Sequence, residues 1–344
     1  MPGSTRGNPR TVSDTRRRWR WTAGGAALLL LLLIADYALY PRLSRPSGRS
    51  LNSGQNGLWL RYRWYFGERS DADRRLLASR LREEQIRYAY FHVRHITRGG
   101  TLRYHKLPEA RRLIAALRRE TPEVKAIAWI FAGNARVAST GVGDVNLADP
   151  AVRKAMVGEA RWLVNECGFD GVQWDYEICD NGDPDFLRLL RETRAALPPE
   201  KLLSAAVPMW LPAPFERWGW SEAYLAQVAA PCDQLAVMCY DSGIYLPRGY
   251  VWLVYQQVVH VTQAVAHGNP RCCVLLGLPT YGRGGLSHHA WAENVRMALK
   301  GVREGLADPR ADRSVFAGVA LFADYTTQPE EWQTYRQWWL GAVR

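Results

Sequence analysis

The stretch from Gly168 to Glu177, GFDGVQWDYE, carries carboxyl groups at a spacing that suits acid–base chemistry. Successive side chains of a β-strand point to opposite faces, so one face here is bulky and apolar and the other carries Gln173, Asp175 and Glu177. Cα atoms two residues apart on a strand lie about 6.6 Å apart, close enough for Asp175 to change the pKa of Glu177. The pattern therefore predicts a strand that presents Glu177 as a general acid.

This stretch resembles the catalytic signature of glycoside hydrolase family 18, the family of chitinases and endo-N-acetylglucosaminidases. The family pattern is Asp-Gly-x-Asp-x-Asp-x-Glu, and residues 170–177 read DGVQWDYE, with Gln173 in place of the middle aspartate. Glutamine can hydrogen-bond Asp175 but cannot share a proton with it as a second acid would, so we expect a changed pH profile. For this motif alone, a barrel strand that ends in solvated acids is the other interpretation.

Three further segments resemble the same family. Residues 238–241 (MCYD) are similar to its Met-x-Tyr-Asp, residues 277–283 (GLPTYGR) to its Gly-x-Pro-x-Tyr-Gly-Arg, and residues 205–210 (AAVPMW) to its fifth strand. Two segments depart from the family pattern: residues 128–133 (AWIFAG) replace Ser-x-Gly-Gly, and Phe322 replaces the tryptophan that floors the sugar subsite.

The resemblance implies a substrate-assisted, retaining mechanism that requires a 2-acetamido group on the sugar. Glu177 would act as general acid and then as general base. Asp175 would orient the acetamido N–H, and Tyr240 would hold the acetamido oxygen. The substrate would be a glycan containing N-acetylglucosamine, either chitin oligosaccharide or cell-envelope glycan. The predicted substrate contacts are Gln173, Asp241, Met238, Tyr281, Trp210 and Phe322.

Two other functions remain open at this stage. In the first, the barrel binds carbohydrate without catalysis. Gln173 and Phe322 favour this alternative, and the intact set of Asp175, Glu177 and Tyr240 disfavours it. In the second, a conventional glycosidase pairs Glu177 with another acid about 5 Å away, such as Asp241 or Asp324.

The chain that carries these motifs alternates between strand-like and helix-like segments. Eight segments have strand character: 57–66, 86–95, 123–132, 170–177, 202–210, 232–241, 271–281 and 316–325. Helical spacing occurs in 70–84, 108–119, 150–166, 185–197, 287–306 and 329–340. Asp149-Pro150 and Asp183-Pro184 are typical helix starts. The pattern predicts an α/β fold, a (β/α)8 TIM barrel over residues 57–344, with its site at the carboxyl ends of the strands.

The N-terminal tail explains most of the net charge of +12. Residues 1–56 hold nine Arg and two Asp, which leaves only +5 for the rest, so nucleic acid is not an expected partner. Residues 1–20 are predicted as a basic cytoplasmic region and 21–40 as a single transmembrane anchor or signal segment, with an uncleaved anchor preferred. Residues 41–56 are predicted as a flexible linker. The barrel domain is then expected to be extracytoplasmic, or secreted if the segment is cleaved.

We expect no metal or cofactor. The six cysteines show no CxxC or Cys/His spacing. Cys232 and Cys272 are candidates for a disulfide, although buried free thiols are the simpler interpretation. His288 and His289 are adjacent and are interpreted as a surface helix start rather than as metal ligands.

Overall fold

The computed structural model describes residues 11–47, 50–136 and 142–341. Its centre is a parallel β-sheet in which each barrel strand pairs with the next barrel strand along the chain. The last barrel strand pairs with the first, which closes the barrel. The strands are β1 (Asn56–Leu60), β2 (Ile86–His95), β3 (Lys125–Asn134), the short β4 (Asp144–Val145), β5 (Gly171–Glu177), β6 (Leu202–Val207), β7 (Gln234–Met238), β8 (Cys273–Pro279) and β9 (Phe316–Phe322). Because β4 only extends the edge of β3, eight strands form the barrel, and the predicted TIM-barrel fold is confirmed.

Helices connect the barrel strands. They are α2 (Asp71–Glu83), α3 (Leu107–Glu120), α4 (Pro150–Asn165), α5 (Pro184–Ala196), α6 (Glu222–Ala229), α7 (Pro247–Gly268), α8 (Val295–Ala307) and α9 (Pro329–Tyr335), followed by a π-helical turn (Arg336–Leu340). Both predicted proline helix starts are confirmed. Asp149 accepts a hydrogen bond from Ala151 N at 2.8 Å, and Asp183 accepts one from Asp185 N at 2.8 Å.

Two predicted boundaries differ most from the observed ones, and two helices were not predicted. The first strand ends at Leu60 because residues 62–67 form a turn rather than continuing the sheet. The helix predicted to start at residue 287 starts at Val295, where the Asn294 side chain accepts a hydrogen bond from Met297 N at 3.0 Å. Helices α6 and α7 were not among the predicted helices.

Large aromatic side chains fill the barrel together with one buried row of polar groups. Trp59, Tyr90 and Trp129 belong to the central apolar cluster. Gly57 leaves room for them, since a Cβ there would lie 2.8 Å from both the Tyr90 ring and Ala320 Cβ. The polar row begins at Trp59 Nε1, which donates to Gln173 Oε1 at 2.8 Å.

The row continues across the interior from strand to strand. Gln173 Nε2 donates to Ser204 Oγ at 3.0 Å, and Ser204 Oγ donates to Gln234 Oε1 at 2.9 Å. Tyr90 OH donates to the same Gln234 oxygen at 2.7 Å. We call Trp59, Gln173, Ser204, Gln234 and Tyr90 the inner polar chain. It satisfies buried polar groups that would otherwise destabilise the barrel.

The segment before the barrel contains helix α1 (Thr11–Leu43). Its part from Trp21 to Leu43 has 23 residues and a mean hydropathy of 1.9, enough in length and composition to cross a membrane. Residues 1–10 of the predicted basic region lie outside the described residues. A signal sequence passes the same test, so the helix fits both interpretations that the sequence left open.

The predicted linker, residues 41–56, is not flexible along its whole length. Residues 41–43 complete α1. Ser50 Oγ donates a hydrogen bond to Trp339 O, and Ser53 Oγ donates one to Ala317 O at 2.8 Å. Asn52 and Asn56 are joined by a hydrogen bond of 2.9 Å. Residues 50–56 are therefore attached to the barrel, because their polar side chains find backbone acceptors on it.

Candidate active site

A cavity of about 230 Å³ opens at the carboxyl ends of the barrel strands. It is lined by Trp59, Trp129, Phe131, Asp175, Glu177, Ala206, Met238, Tyr240, Asp241 and Phe322. A wider hollow of about 800 Å³ lies between the end of α7 and the segment before β9, but Asp312 is the one acid among its lining residues. The smaller cavity holds three carboxyl groups within an aromatic wall, so it is the candidate site.

Strand β5 delivers two of these acids because its side chains alternate as predicted. On its outer face Trp174 Nε1 donates to Thr193 Oγ1 of α5 at 3.1 Å, and Tyr176 stacks on Phe186 of the same helix with ring centroids 5.5 Å apart. Packing of the outer face against α5 directs Asp175 to the interior.

Asp175 is buried and has one hydrogen-bond donor. Trp129 Nε1 donates to its Oδ2 at 2.7 Å, while Oδ1 has no hydrogen-bond partner among the described residues. Burial raises the pKa of Asp175 well above its usual range, the negative charge of Glu177 raises it further, and the Trp129 hydrogen bond lowers it. Burial therefore works against ionisation of Asp175, and a ligand that donates a hydrogen bond to Oδ1 would favour the ionised form.

Glu177 lies at the end of β5, at the edge of the cavity. Burial raises the pKa of Glu177 above its usual value, and the charge of Asp241 raises it further. A glutamate that keeps its proton to higher pH than usual can donate it to a leaving group.

Tyr240 and Phe322 form the aromatic side of the cavity. Their rings stack with centroids 5.0 Å apart and an interplanar angle of 23°. The edge of Phe322 also meets Trp59 at 5.7 Å and Trp129 at 6.0 Å. Burial raises the pKa of Tyr240 well above its usual value, so its hydroxyl remains a hydrogen-bond donor at neutral pH.

Asp241 is held near a buried histidine. Its backbone has a φ of +55°, and its Oδ1 lies 3.8 Å from His288 Nδ1. His288 Nε2 lies 2.9 Å from Tyr281 O, so this nitrogen must carry a hydrogen. The other nitrogen lies 3.2 Å from Glu293 Oε2, a contact that requires one proton shared between His288 and Glu293.

This arrangement contradicts the prediction of a surface helix start at His288. The residue is 7% exposed and precedes α8 in a loop. Asp241, His288 and Glu293 place one potential metal-ligand atom each within 4.8 Å of one another. Glu293 already accepts a hydrogen bond from Ser242 Oγ at 2.6 Å and contacts His288 with its other oxygen, so its oxygens are engaged within the protein.

Most of the predicted site residues meet in one place. The cavity wall includes Asp175, Glu177, Tyr240, Asp241, Met238 and Phe322. Tyr281 lies next to it, with its ring centroid 6.1 Å from that of Tyr240 and 6.0 Å from that of Phe322.

Two predicted substrate contacts lie elsewhere. Gln173 is fully buried, and both ends of its amide are used in the inner polar chain, so it neither reaches a ligand nor hydrogen-bonds Asp175. The ring of Trp210 stacks on His260 of α7 with centroids 3.7 Å apart. Its backbone N–H donates to Gln257 of the same helix at 2.7 Å, which holds Trp210 against α7 and away from the cavity wall.

Asp324 is not the second acid of the site. It accepts a hydrogen bond from Trp64 Nε1 at 3.4 Å and lines a separate hollow with Arg69 and Arg80. Of the two acids proposed to pair with Glu177 in a conventional glycosidase, only Asp241 faces the same cavity.

The sequence interpretation missed four residues of the cavity wall, namely Trp59, Trp129, Phe131 and Ala206. A signal for two of them was present. Alternation along β3 puts Trp129 and Phe131 on the same face, in the segment that departs from the family pattern. That departure supplies the hydrogen-bond donor of Asp175.

Known structures share this fold. The spore cortex-lytic enzyme SleL of Bacillus cereus has a TM-score of 0.56 and 13% identity, over 86% of this chain and 76% of that chain. A chitinase from Chromobacterium violaceum ATCC 12472 has a TM-score of 0.56 and 16% identity, over 84% of this chain and 99% of that chain. A plant class V chitinase mutant from Cycas revoluta, solved in complex with (GlcNAc)3, has a TM-score of 0.55 and 15% identity, over 82% of this chain and 99% of that chain.

Sequence comparison gives the family directly. No curated protein sequence matches this chain. The model of Glycosyl hydrolases family 18 matches residues 62–337, which include every strand of the barrel after β1 and every residue of the cavity wall except Trp59. The chain therefore belongs to glycosyl hydrolase family 18 and is a glycoside hydrolase.

Proposed function

We propose that this chain hydrolyses β-glycosidic bonds in glycans that contain N-acetylglucosamine, by a substrate-assisted, retaining mechanism with Glu177 as general acid and base. The observation that supports it best is the pair of acids on β5, buried Asp175 and partly buried Glu177, whose pKa values are both raised and which line an aromatic cavity. Structures of similar fold include chitinases and a complex with (GlcNAc)3.

The first step breaks the bond between the anomeric carbon and the glycosidic oxygen. Glu177 donates its proton to that oxygen, and the carbonyl oxygen of the substrate's own acetamido group bonds to the anomeric carbon. Asp175 gives its proton to solvent as the substrate enters, and the ionised carboxylate accepts the acetamido N–H with Oδ1 and offsets the positive charge of the resulting ring. Tyr240 donates a hydrogen bond to the acetamido oxygen and holds it for attack.

The second step returns the site to its starting state. Glu177, now ionised, takes a proton from water, and the oxygen of that water attacks the anomeric carbon on the face from which the first sugar left. The acetamido carbonyl is released, and the product keeps its anomeric configuration. Asp241 contacts a sugar hydroxyl from the β7 end of the cavity.

Release of fluorophore from chitobiose and chitotriose glycosides by the full chain in detergent tests this proposal. We expect Glu177→Gln to lower turnover by about 10²- to 10⁴-fold, the usual contribution of a general acid. Glu200→Gln, the same change at an exposed glutamate, is the matched control and should leave turnover unaltered. Equal turnover in the parent and Glu177→Gln would refute the role of Glu177.

A non-catalytic carbohydrate-binding barrel is the alternative function. It predicts binding of the same oligosaccharides with no turnover by the parent chain. The raised pKa of Glu177 disfavours this alternative. A protein that only binds sugar gains nothing from removing a carboxyl group from water, because its ligand must then supply the hydrogen bonds that water made.

We also propose that the segment Trp21–Leu43 anchors the chain in a membrane, with residues 1–20 in the cytoplasm and the barrel outside it. The length and hydropathy of this helix and the arginines before it support that orientation. Protease treatment of intact cells should then degrade the barrel, and the chain should stay in the membrane fraction after a salt wash. Recovery of a shortened, soluble chain would indicate a cleaved signal instead.

A further inference from the structure

Charge is divided unevenly among the eight loops that follow the barrel strands. The loops after β1 and β2, residues 61–70 and 96–106, hold six cations against the single acid Glu68. These cations are Arg61, Arg63, Arg69, Arg98, Arg103 and Lys106. The other six loops together hold three cations against eight acids. One side of the barrel mouth is therefore basic and the rest acidic.

Two arginines on the basic side are oriented by aromatic rings rather than by acids. The Arg61 guanidinium lies 4.9 Å from the centroid of the Tyr325 ring and 5.8 Å from that of Tyr62. The Arg94 guanidinium, at the end of β2, lies 4.8 Å from the same Tyr62 ring. Neither guanidinium has an acidic partner in the part of the chain that the structure describes, in contrast to Arg63, which pairs with Glu68 at 3.5 Å. Cation–π contacts hold both groups in place without neutralising them.

This pair continues the wall of the candidate site. Arg61 follows the cavity residue Trp59 by two positions, and its stacking partner Tyr325 follows the cavity residue Phe322 by three. Arg94 lies on β2, which pairs with β3 where His95 is opposite the cavity residue Phe131. We call Arg61 and Arg94 with Tyr62 the basic rim.

A neighbouring titratable group responds to the charge of the rim. Burial lowers the pKa of His95, and the positive charges of Arg94 and Arg103 lower it further. These charges lie at the end of β2, where His95 is opposite the cavity residue Phe131, so this edge of the cavity is positive.

We infer that the basic rim binds an anionic substituent of the glycan, so that the preferred substrate is an acetamido glycan that carries a carboxylate or phosphate rather than neutral chitin oligosaccharide. Each guanidinium group beside the Tyr62 ring offers a pair of parallel N–H donors. Such a pair matches two oxygens of a planar carboxylate or of a tetrahedral phosphate. This inference rests on the proposed function in one respect, that the ligand is an acetamido glycan. The preference of the rim for negative charge does not depend on it.

Equilibrium binding separates the two claims. The full chain with Glu177→Gln, in detergent, is titrated with three probes: neutral chitotetraose, a tetrasaccharide of alternating N-acetylglucosamine and N-acetylmuramic acid, and 6-phosphorylated chitotetraose. We expect at least one anionic probe to bind about tenfold more tightly than the neutral probe at low salt, and the preference to shrink at high salt. The tighter of the two anionic probes identifies the source of the negative charge.

Variants then assign the preference to the rim. Adding Arg61→Gln or Arg94→Gln should each lower the anionic preference about tenfold, as for loss of one charge-assisted hydrogen bond. Arg271→Gln removes an equal charge from an exposed site just before β8, at the other end of the barrel, and should leave the preference unaltered. Equal binding of neutral and anionic probes, binding of none of them, or an equal loss in Arg271→Gln would overturn the inference. Failure of the parent chain to cleave chitobiose glycosides would instead refute the proposed function.

Discussion

The hydrogen bond from Trp129 to Asp175 gives the sharpest test of the proposed chemistry. Trp129→Phe keeps an aromatic ring beside His92, on which Trp129 stacks at 4.1 Å, but removes the indole N–H that donates to Asp175 Oδ2 at 2.7 Å. Asp175 Oδ1 has no partner among the described residues, so the variant leaves both oxygens of this buried acid without a donor from the protein.

The size of the effect follows from that geometry. A hydrogen bond to a charged group contributes about 1.5–3 kcal/mol, and this one stabilises the ionised form of Asp175 more than the neutral form. If ionised Asp175 offsets charge in the transition state, its loss should lower kcat/KM at neutral pH by about 10- to 100-fold. The pKa of Asp175, already raised by burial and by Glu177, should rise further, so the acidic limb of the pH–rate profile should move to higher pH.

The assay is kcat/KM for a chitobiose glycoside measured from pH 4 to pH 9, with thermal unfolding as a check on folding. Trp59→Phe is the matched control, because it removes an indole hydrogen bond of similar length, 2.8 Å against 2.7 Å, whose acceptor is the neutral Gln173. It should lower the melting temperature without moving the acidic limb. An unshifted acidic limb in Trp129→Phe, or equal shifts in both variants, would refute the reasoning.

Three other outcomes follow from buried groups. Burial raises the pKa of Glu177, so the folded chain loses stability as the pH rises through that pKa. Glu177→Gln should therefore melt about 2 °C above the parent chain at pH 8 but not at pH 4. A melting temperature below that of the parent at pH 8 would contradict this. Gln173→Met leaves the buried Trp59 Nε1 without its acceptor and removes one of the two hydrogen bonds of Ser204 Oγ. It should lower the melting temperature by about 5–10 °C in thermal unfolding, whereas no change would show that the inner polar chain is dispensable. All six cysteines are free and five are buried, so an aromatic disulfide reagent should detect no fast thiol in the folded chain and six after denaturation. A count of four would reveal one disulfide, for which Cys232 and Cys272 are the candidates.

The barrel could be predicted because its signals are local. Alternation along β5 and the proline helix starts depend on neighbouring residues only. Helix α7 was missed for a physical reason. Buried residues occur around most of its circumference, so its sequence lacks the one-sided apolar spacing that marks a surface helix.

The partners of the site residues could not be predicted because they come from distant strands. Gln173 was expected to contact Asp175, its neighbour on the same face, yet its partners Trp59 and Ser204 lie on β1 and β6. The place beside Asp175 is taken by Trp129 of β3. Strand register across the closed barrel decides which side chain reaches a buried acid. The spacing of residues in the sequence does not predict that register.

The inner polar chain also limits where protons can travel. Its hydrogens run in a fixed direction from Trp59 through Gln173 and Ser204 and end at Gln234, an acceptor that already takes a second hydrogen from Tyr90. All its members are neutral groups, and Asp175, whose one hydrogen-bond donor in the described part of the chain is Trp129, is not joined to it by a hydrogen bond. The barrel interior thus insulates the two acids of β5, which exchange protons with solvent only through the cavity. A sugar chain that fills the cavity closes this exit, so while it is bound the pair can exchange protons only with the substrate and the attacking water.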